Sequence, residues 1–166
     1  MFSKLFSFLS GMALLVIALC VGAQDATIDS HSAPQSEPMI IEVVSPYDFE
    51  HTNRLIQEGV KTEGWKVPKV YDWRAITRSA DVDVGPFNMY DLCKAEYAAQ
   101  ILKHDHLRFV STLMPCATAV YTKSDGKTYI AYMNVKLLAQ MFGSELGDVA
   151  RQAGEARERA LSFLNP

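Results

Sequence analysis

Residues 114–134 read MPCATAVYTKSDGKTYIAYMN. Two runs that alternate and favour strand residues flank Ser124-Asp125-Gly126, which predicts a β-hairpin with an Asp-Gly turn, its strands over 116–123 and 127–133. In the second strand Tyr129, Ala131 and Met133 point one way, while Thr128, Ile130 and Tyr132 point the other. The run 87–93 has the same two-sided character, with Phe87 and Met89 opposed to Tyr90 and Leu92. It ends on Cys93, and Met114-Pro115-Cys116 opens the hairpin. The two cysteines therefore come at the ends of consecutive predicted strands.

Upstream, 39–44 is a short β-branched run and reads as a first strand. Ser45-Pro46 followed by Asp48 reads as an N-cap, a proline at the first helical position and an acid in the first turn. Phe49, Thr52, Ile56 and Val60 recur at three and four residues, which places one helix face on a core, and Gly64 stops the helix. Residues 65–71 form a second strand, which Pro68 marks as irregular or at a sheet edge. A short helix over 72–80, a loop over 81–86 and a small helix over 95–103 bearing Ala98, Ile101 and Leu102 follow. His104-Asp105-His106 is a polar break, and 107–113 is the approach to the fourth strand. Beyond the hairpin, Asn134 caps a helix carrying Leu137, Leu138, Met141 and Phe142, with Gly143 ending it. Ser144 caps a last helix with Leu146, Val149, Ala153, Ala156 and Ala160 along one face.

Strands joined by tight turns pair antiparallel, so the pattern is an α+β fold: an antiparallel sheet of about five strands, helices on one face, plus a C-terminal helix. The other sheet face would be apolar and exposed. A second subunit, the inserted helix or a ligand is expected to cover it.

The N-terminus carries one charge, Lys4, followed by an apolar run over 5–21 and the small residues Val21-Gly22-Ala23. This reads as a signal peptide over 1–23 cleaved before Gln24, which sends the chain to the periplasm or outside the cell. An uncleaved anchor is the alternative, since the run is just long enough to span a bilayer. Cys20 does not make a lipoprotein signal, because Leu19 precedes it where a small residue is wanted. Residues 24–38 are polar and rich in Ser and Pro, and read as a disordered linker. The domain proper runs over 39–143, with the C-terminal helix over 144–166. Cleavage removes Lys4 and no acid, leaving 15 basic and 19 acidic residues, a formal charge of −4. That balance, without clustered Lys and Arg, excludes a nucleic-acid footprint. No membrane span remains after cleavage.

Cleavage also removes Cys20 and leaves Cys93 and Cys116. An even pair in an oxidising compartment suggests a disulfide, worth roughly 3 kcal/mol for a loop of this length. The alternatives are a reversible dithiol or a thiolate offered to a partner or metal. Thioredoxin-like activation, with both sulfurs on one helix turn, is not signalled. His104 and His106, with Met114 and Cys116, form a weak candidate set for copper or haem. A His-x-His in a polar break reads first as solvated loop, and without Cys-x-x-Cys-His covalent haem attachment is excluded. Asp81 and Asp83 beside Gly85, and Asp91 near Cys93, read as solvated turn acids before they read as paired catalytic carboxylates. Phosphate-loop, Gly-x-Ser-x-Gly and His-Glu-x-x-His motifs are missing, so hydrolase and nucleotide chemistry have no support. Tyr90, Tyr121, Tyr129, Tyr132 and Phe87 suit core packing or an interface, and otherwise a pocket on the open face.

Three stretches resemble one family in order and spacing. They are Gly64-Trp65-Lys66-Val67-Pro68, Tyr90-Asp91-Leu92-Cys93 running into 95–102, and Met114-Pro115-Cys116 through Asn134. Over about 45–143 they resemble the domain of unknown function 302 family, and its secreted two-cysteine branch in bacteria most of all. The resemblance implies a β-α-β4-α arrangement similar to the TATA-box-binding-protein-like fold, and it marks Cys93 and Cys116 as family positions. It implies no reaction and names no cofactor.

The expectation is an exported, non-enzymatic accessory or binding protein. It would hold a small ligand, a metal centre or an envelope partner near Cys93, Met114, Cys116, Tyr90 and Tyr121, and would dimerise through the sheet face. The alternative is a thiol-based redox or sulfur-handling protein that uses Cys93 and Cys116.

Overall fold

The computed structural model describes residues 37–114, 116–141 and 143–165. The readings of the signal segment, of linker residues 24–36, of Pro115 and Phe142, and of the Ser144 side chain fall outside the described residues.

The chain runs β1 (Ile40–Val44), α1 (Phe49–Thr62), β2 (Lys66–Asp72), α2 (Trp73–Arg78), β3 (Phe87–Cys93) and α3 (Ala95–Leu102). A 3₁₀ segment, Asp105–Leu113, then leads to β4 (Thr118–Thr122), β5 (Thr128–Met133), α4 (Val135–Met141) and α5 (Gly143–Ala160). The five strands form one sheet in the order β1-β5-β4-β3-β2, with every neighbouring pair antiparallel. Setting aside the short insertions α2, α3 and the 3₁₀ segment, the order is β-α-β4-α followed by the C-terminal helix. This is the α+β architecture expected.

The hairpin is built as its turn chemistry demands. Gly126 donates its N–H to the carbonyl of Lys123 at 3.0 Å and sits at φ +77°, a conformation that costs glycine little. Asp125 Oδ1 accepts the N–H of Lys127 at 3.0 Å. Thr122 consequently pairs with Thr128, and Tyr121 with Tyr129.

That register divides the sheet into two unlike faces. Tyr90, Leu92, Thr118, Val120, Thr128 and Ile130 are buried on the helix side, packed with Ile56 and Val60 of α1 and Ala153, Ala156 and Ala160 of α5. Each large apolar side chain buried there contributes roughly 1.5–3 kcal/mol. The alanines of α5 allow its backbone close to α1: a Cβ placed on Gly59 would stand 2.0 Å from the carbonyl oxygen of Ala160. On the opposite face Ile40 and Val44 are exposed, and Met89, Ala119, Ala131 and Met133 are half-buried.

Two local readings are corrected. Ser45 does not cap α1; Asp48 does, its Oδ1 accepting the N–H of His51 at 2.7 Å. Ser45 is still tied to the sheet through its N–H to the carbonyl of Thr128 at 2.9 Å, and its buried hydroxyl pairs with that of Thr52 at 2.7 Å. Residues 107–113, the approach to the fourth strand, are 3₁₀ helix, and β4 begins at Thr118 rather than at Cys116. Proline at 115 has no N–H to give a sheet, which favours starting the ladder after it. At Pro68 the β2–β3 register shifts between Lys66 and Lys69, as a proline in an edge strand requires.

Candidate functional site

The end of β3 and the segment before β4 carry the sulfur chemistry of the fold. Phe87 pairs with Tyr121 and Tyr90 with Thr118, and the same register continued brings Cys116 opposite Leu92. A hydrogen bond from the Cys116 N–H to the Leu92 carbonyl, 3.1 Å, confirms the alignment. Cys93 thus lies one residue along from the partner of Cys116, on the neighbouring strand. Both cysteines are half-buried free thiols. Met114 is extended, at φ −110° and ψ 149°. Met114 lines the same walls as Cys116.

Those walls belong to two cavities. The first is an apolar cleft between the sheet end, α3, the 3₁₀ segment and α5, with Trp65, Cys93, Tyr97, Met114, Cys116 and Val149 among its lining. Its cavity volume is about 90 Å³, which makes it a narrow slot. The second is a shallower groove on the open sheet face, where Met89, Met114, Cys116 and Met133 meet Ile40 and Ala131. Met114 and Cys116 stand in the partition and line both.

The cleft holds one polar anomaly. Trp65 is 6 % exposed and packs edge-on to Tyr97, with ring centroids 6.0 Å apart, yet among the described residues its indole N–H has no hydrogen-bond partner. Leaving a buried donor unpaired costs about 1–3 kcal/mol. Lys94 also lines the cleft; its ammonium donates to the carbonyl of Glu63 at 3.0 Å and lies 5.2 Å from the centre of the Tyr97 ring. The sequence carried Trp65 only as a mark of family resemblance, and it gave Tyr97 and Lys94 no role. Nothing in their spacing signals a shared wall, because chain folding alone brings them together.

The structure therefore unites Cys93, Met114 and Cys116 and leaves the other candidates elsewhere. Tyr90 is a core residue. Its hydroxyl donates to Asn53 Oδ1, which also accepts from Asn88 Nδ2 at 3.3 Å, and burial pushes its pKa up. Tyr121 lies on the open face, its ring 5.1 Å from that of Phe87 and 6.1 Å from that of Tyr129. It donates to Glu42, which also accepts from Lys123 Nζ at 2.6 Å. Burial first, and then the Glu42 carboxylate, push Tyr121 up to about 12. His104 and His106 face each other with ring centroids 5.9 Å apart at the start of the 3₁₀ segment, outside both cavities. Tyr132 lies under the Arg157 guanidinium, 5.3 Å from the ring centre.

The acids are structural. Arg74 and Arg78 bind Asp83 at 2.8 and 2.7 Å, and the Gly85 N–H donates to it at 2.9 Å. These partners hold its carboxyl well below the usual carboxylate range. Asp91 raises the pKa of Tyr71 through its charge and a hydrogen bond. Among the described residues no three or more His, Cys, Asp and Glu side chains come together as a metal cluster, and no helix is long and apolar enough to cross a membrane.

Comparison with known proteins accords with this architecture. No curated protein matches the chain. The solved structure of an uncharacterised conserved protein DUF302 from Bacillus stearothermophilus superposes with a TM-score of 0.67 at 20% identity, covering 76% of this chain and 98% of that one. At that identity the likeness speaks for the fold alone. The family described as Domain of unknown function DUF302 matches residues 41–164, a span that takes in α5 as well as the sheet. The chain belongs to the DUF302 family.

Proposed function

We propose that this chain is an exported, non-catalytic binding protein that takes a slim, mostly apolar small molecule with one hydrogen-bond acceptor into the cleft. The observation that carries the reading is the indole N–H of Trp65, unpartnered among the described residues and buried in a wall that is mostly hydrocarbon and sulfur. A ligand acceptor would satisfy that donor, and the apolar wall would supply the affinity. The test is saturable binding of a slim fluorescent probe, N-phenyl-1-naphthylamine, and its displacement by long-chain aldehydes, which add an acceptor. Trp65→Phe should keep the fold and the probe site while weakening the aldehyde about tenfold, the value of one good hydrogen bond. A folded wild-type protein that shows no saturable binding of the probe would overturn the reading.

A second reading is favoured by the register at the sheet end, which sets Cys93 and Cys116 one step apart on neighbouring strands. In it the pair is a redox couple: two thiols give two protons and two electrons to a disulfide oxidant and become one disulfide. The half-exposed sheet face with Ile40, Val44 and Met133 is the surface this reading and the first would offer to a second copy of the chain.

A further inference from the structure

We propose that Cys93, Cys116 and Met114 form a binding site for a single soft monovalent metal ion, copper(I), with the methionines of the open-face groove as its approach. All three residues line one cleft. Met114 and Cys116 also form the partition toward the groove, in which Met89 and Met133 stand. A route lined by thioethers therefore leads to a pair of thiols.

The donor set chooses the ion. Thiolate and thioether are soft ligands that favour copper(I), whereas calcium, magnesium and manganese want oxygen. Among the described residues no Asp, Glu or His lines the cleft or the groove, so these offer a hard cation no ligand. Zinc requires four ligands in a structural site, and a divalent ion held by two thiolates and a thioether would fall short of that number. Copper(I) is satisfied by two or three sulfurs. Binding replaces the two S–H protons, which leave to solvent, and copper stays in the +1 state, so no electron is transferred. Two thiolates with one copper(I) carry a net charge of −1, and Lys94, in the same wall, supplies the compensating charge. The held positions favour coordination: the Cys116 backbone is fixed to Leu92, and Cys93 is anchored by its pairing with Lys66 across β2 and β3. Little chain entropy is lost when the ion binds to groups already placed.

This inference goes beyond the organic-ligand reading and does not depend on it. Its donors are sulfurs and its readout is a metal titration, so failure of the fluorescent probe to bind leaves it standing. The experiment is an anaerobic competition of the purified chain, its cysteines first reduced with a phosphine and the copper held as copper(I) by ascorbate, against bicinchoninate for copper(I), with zinc(II) in parallel. The expected result is one copper(I) per chain and no comparable zinc uptake. Cys93→Ser with Cys116→Ser should weaken copper binding by about 1,000-fold or more, and Met114→Leu, which keeps the packing volume, by about tenfold. Each variant is scored with its far-ultraviolet circular dichroism matched to wild type; where the double serine variant unfolds, the single Cys116→Ser variant takes its place. Equal copper affinity in wild type and serine variants, or zinc bound as tightly as copper, would overturn the proposal.

Discussion

The backbone N–H of Cys116 donates to the carbonyl of Leu92 at 3.1 Å, which aligns one cysteine with the residue that precedes the other. Leu92, and not Cys93, stands directly across from Cys116, and because side chains alternate along a strand a Cys93–Cys116 bridge needs the sheet end to shift. With that local shift of the strand end, mild oxidation is expected to join Cys93 to Cys116 without unfolding the domain. Intact mass after treatment with a thiol alkylator checks this: oxidised protein should take no adduct at these positions and reduced protein two. The bridge should stabilise by roughly 3 kcal/mol. Dimers linked through cysteine, in place of an internal bridge, would contradict the alignment.

Gly59 faces the other critical approach. Alanine in a helix interior is ordinarily about 1 kcal/mol better than glycine. Here the added methyl would meet the Ala160 carbonyl at 2.0 Å, backbone that has nowhere flexible to move. Gly59→Ala should lower stability by about 2–3 kcal/mol by forcing α1 and α5 apart. Urea unfolding of the variant beside wild type measures it. An unchanged or raised midpoint would show that the helices separate freely.

Asp83 predicts a pH dependence with a definite sign. Its folded pKa lies below the ordinary 3.8, so the folded state binds this proton less readily than the unfolded one. Its stabilising effect is complete above pH 3.8 and fades as the pH falls below that value. Asp83→Asn removes the charge that holds Arg74 and Arg78 on α2. It should accelerate amide exchange in Trp73–Arg78 at neutral pH, and the difference from wild type should shrink as the pH approaches 2. A difference that persists undiminished at pH 2 would assign the effect to packing.

Much of this protein is legible one segment at a time. The faces of α1 and α5, the Asp-Gly hairpin, the two-sided strands and the irregularity at Pro68 each follow from residues a few places apart. Local patterning also placed Cys93 at the end of a strand. What it misjudged were points at which two local signals compete. Ser45 looks like a helix cap, yet it remains hydrogen-bonded to Thr128, a strand partner more than eighty positions away. Residues 107–113 carry no decisive period, and tertiary packing coils them into 3₁₀ helix, burying Val110 against Ile101, Leu146 and Val149. Tyr90 and Tyr121 look alike in sequence, and only the register sends one into the core and the other to the open face.

The sequence by itself determined the alternation and the turns, and hence the α+β class with its order of elements, because these depend on backbone sterics and on periodicities of two and 3.6 residues. Only the tertiary structure decided that Trp65, Tyr97, Met114 and the two cysteines share one narrow cleft, and that Met114 and Cys116 divide it from the methionine groove. That juxtaposition depends on strand register and helix packing between segments remote in the chain. Neither leaves a mark on the spacing of the residues concerned.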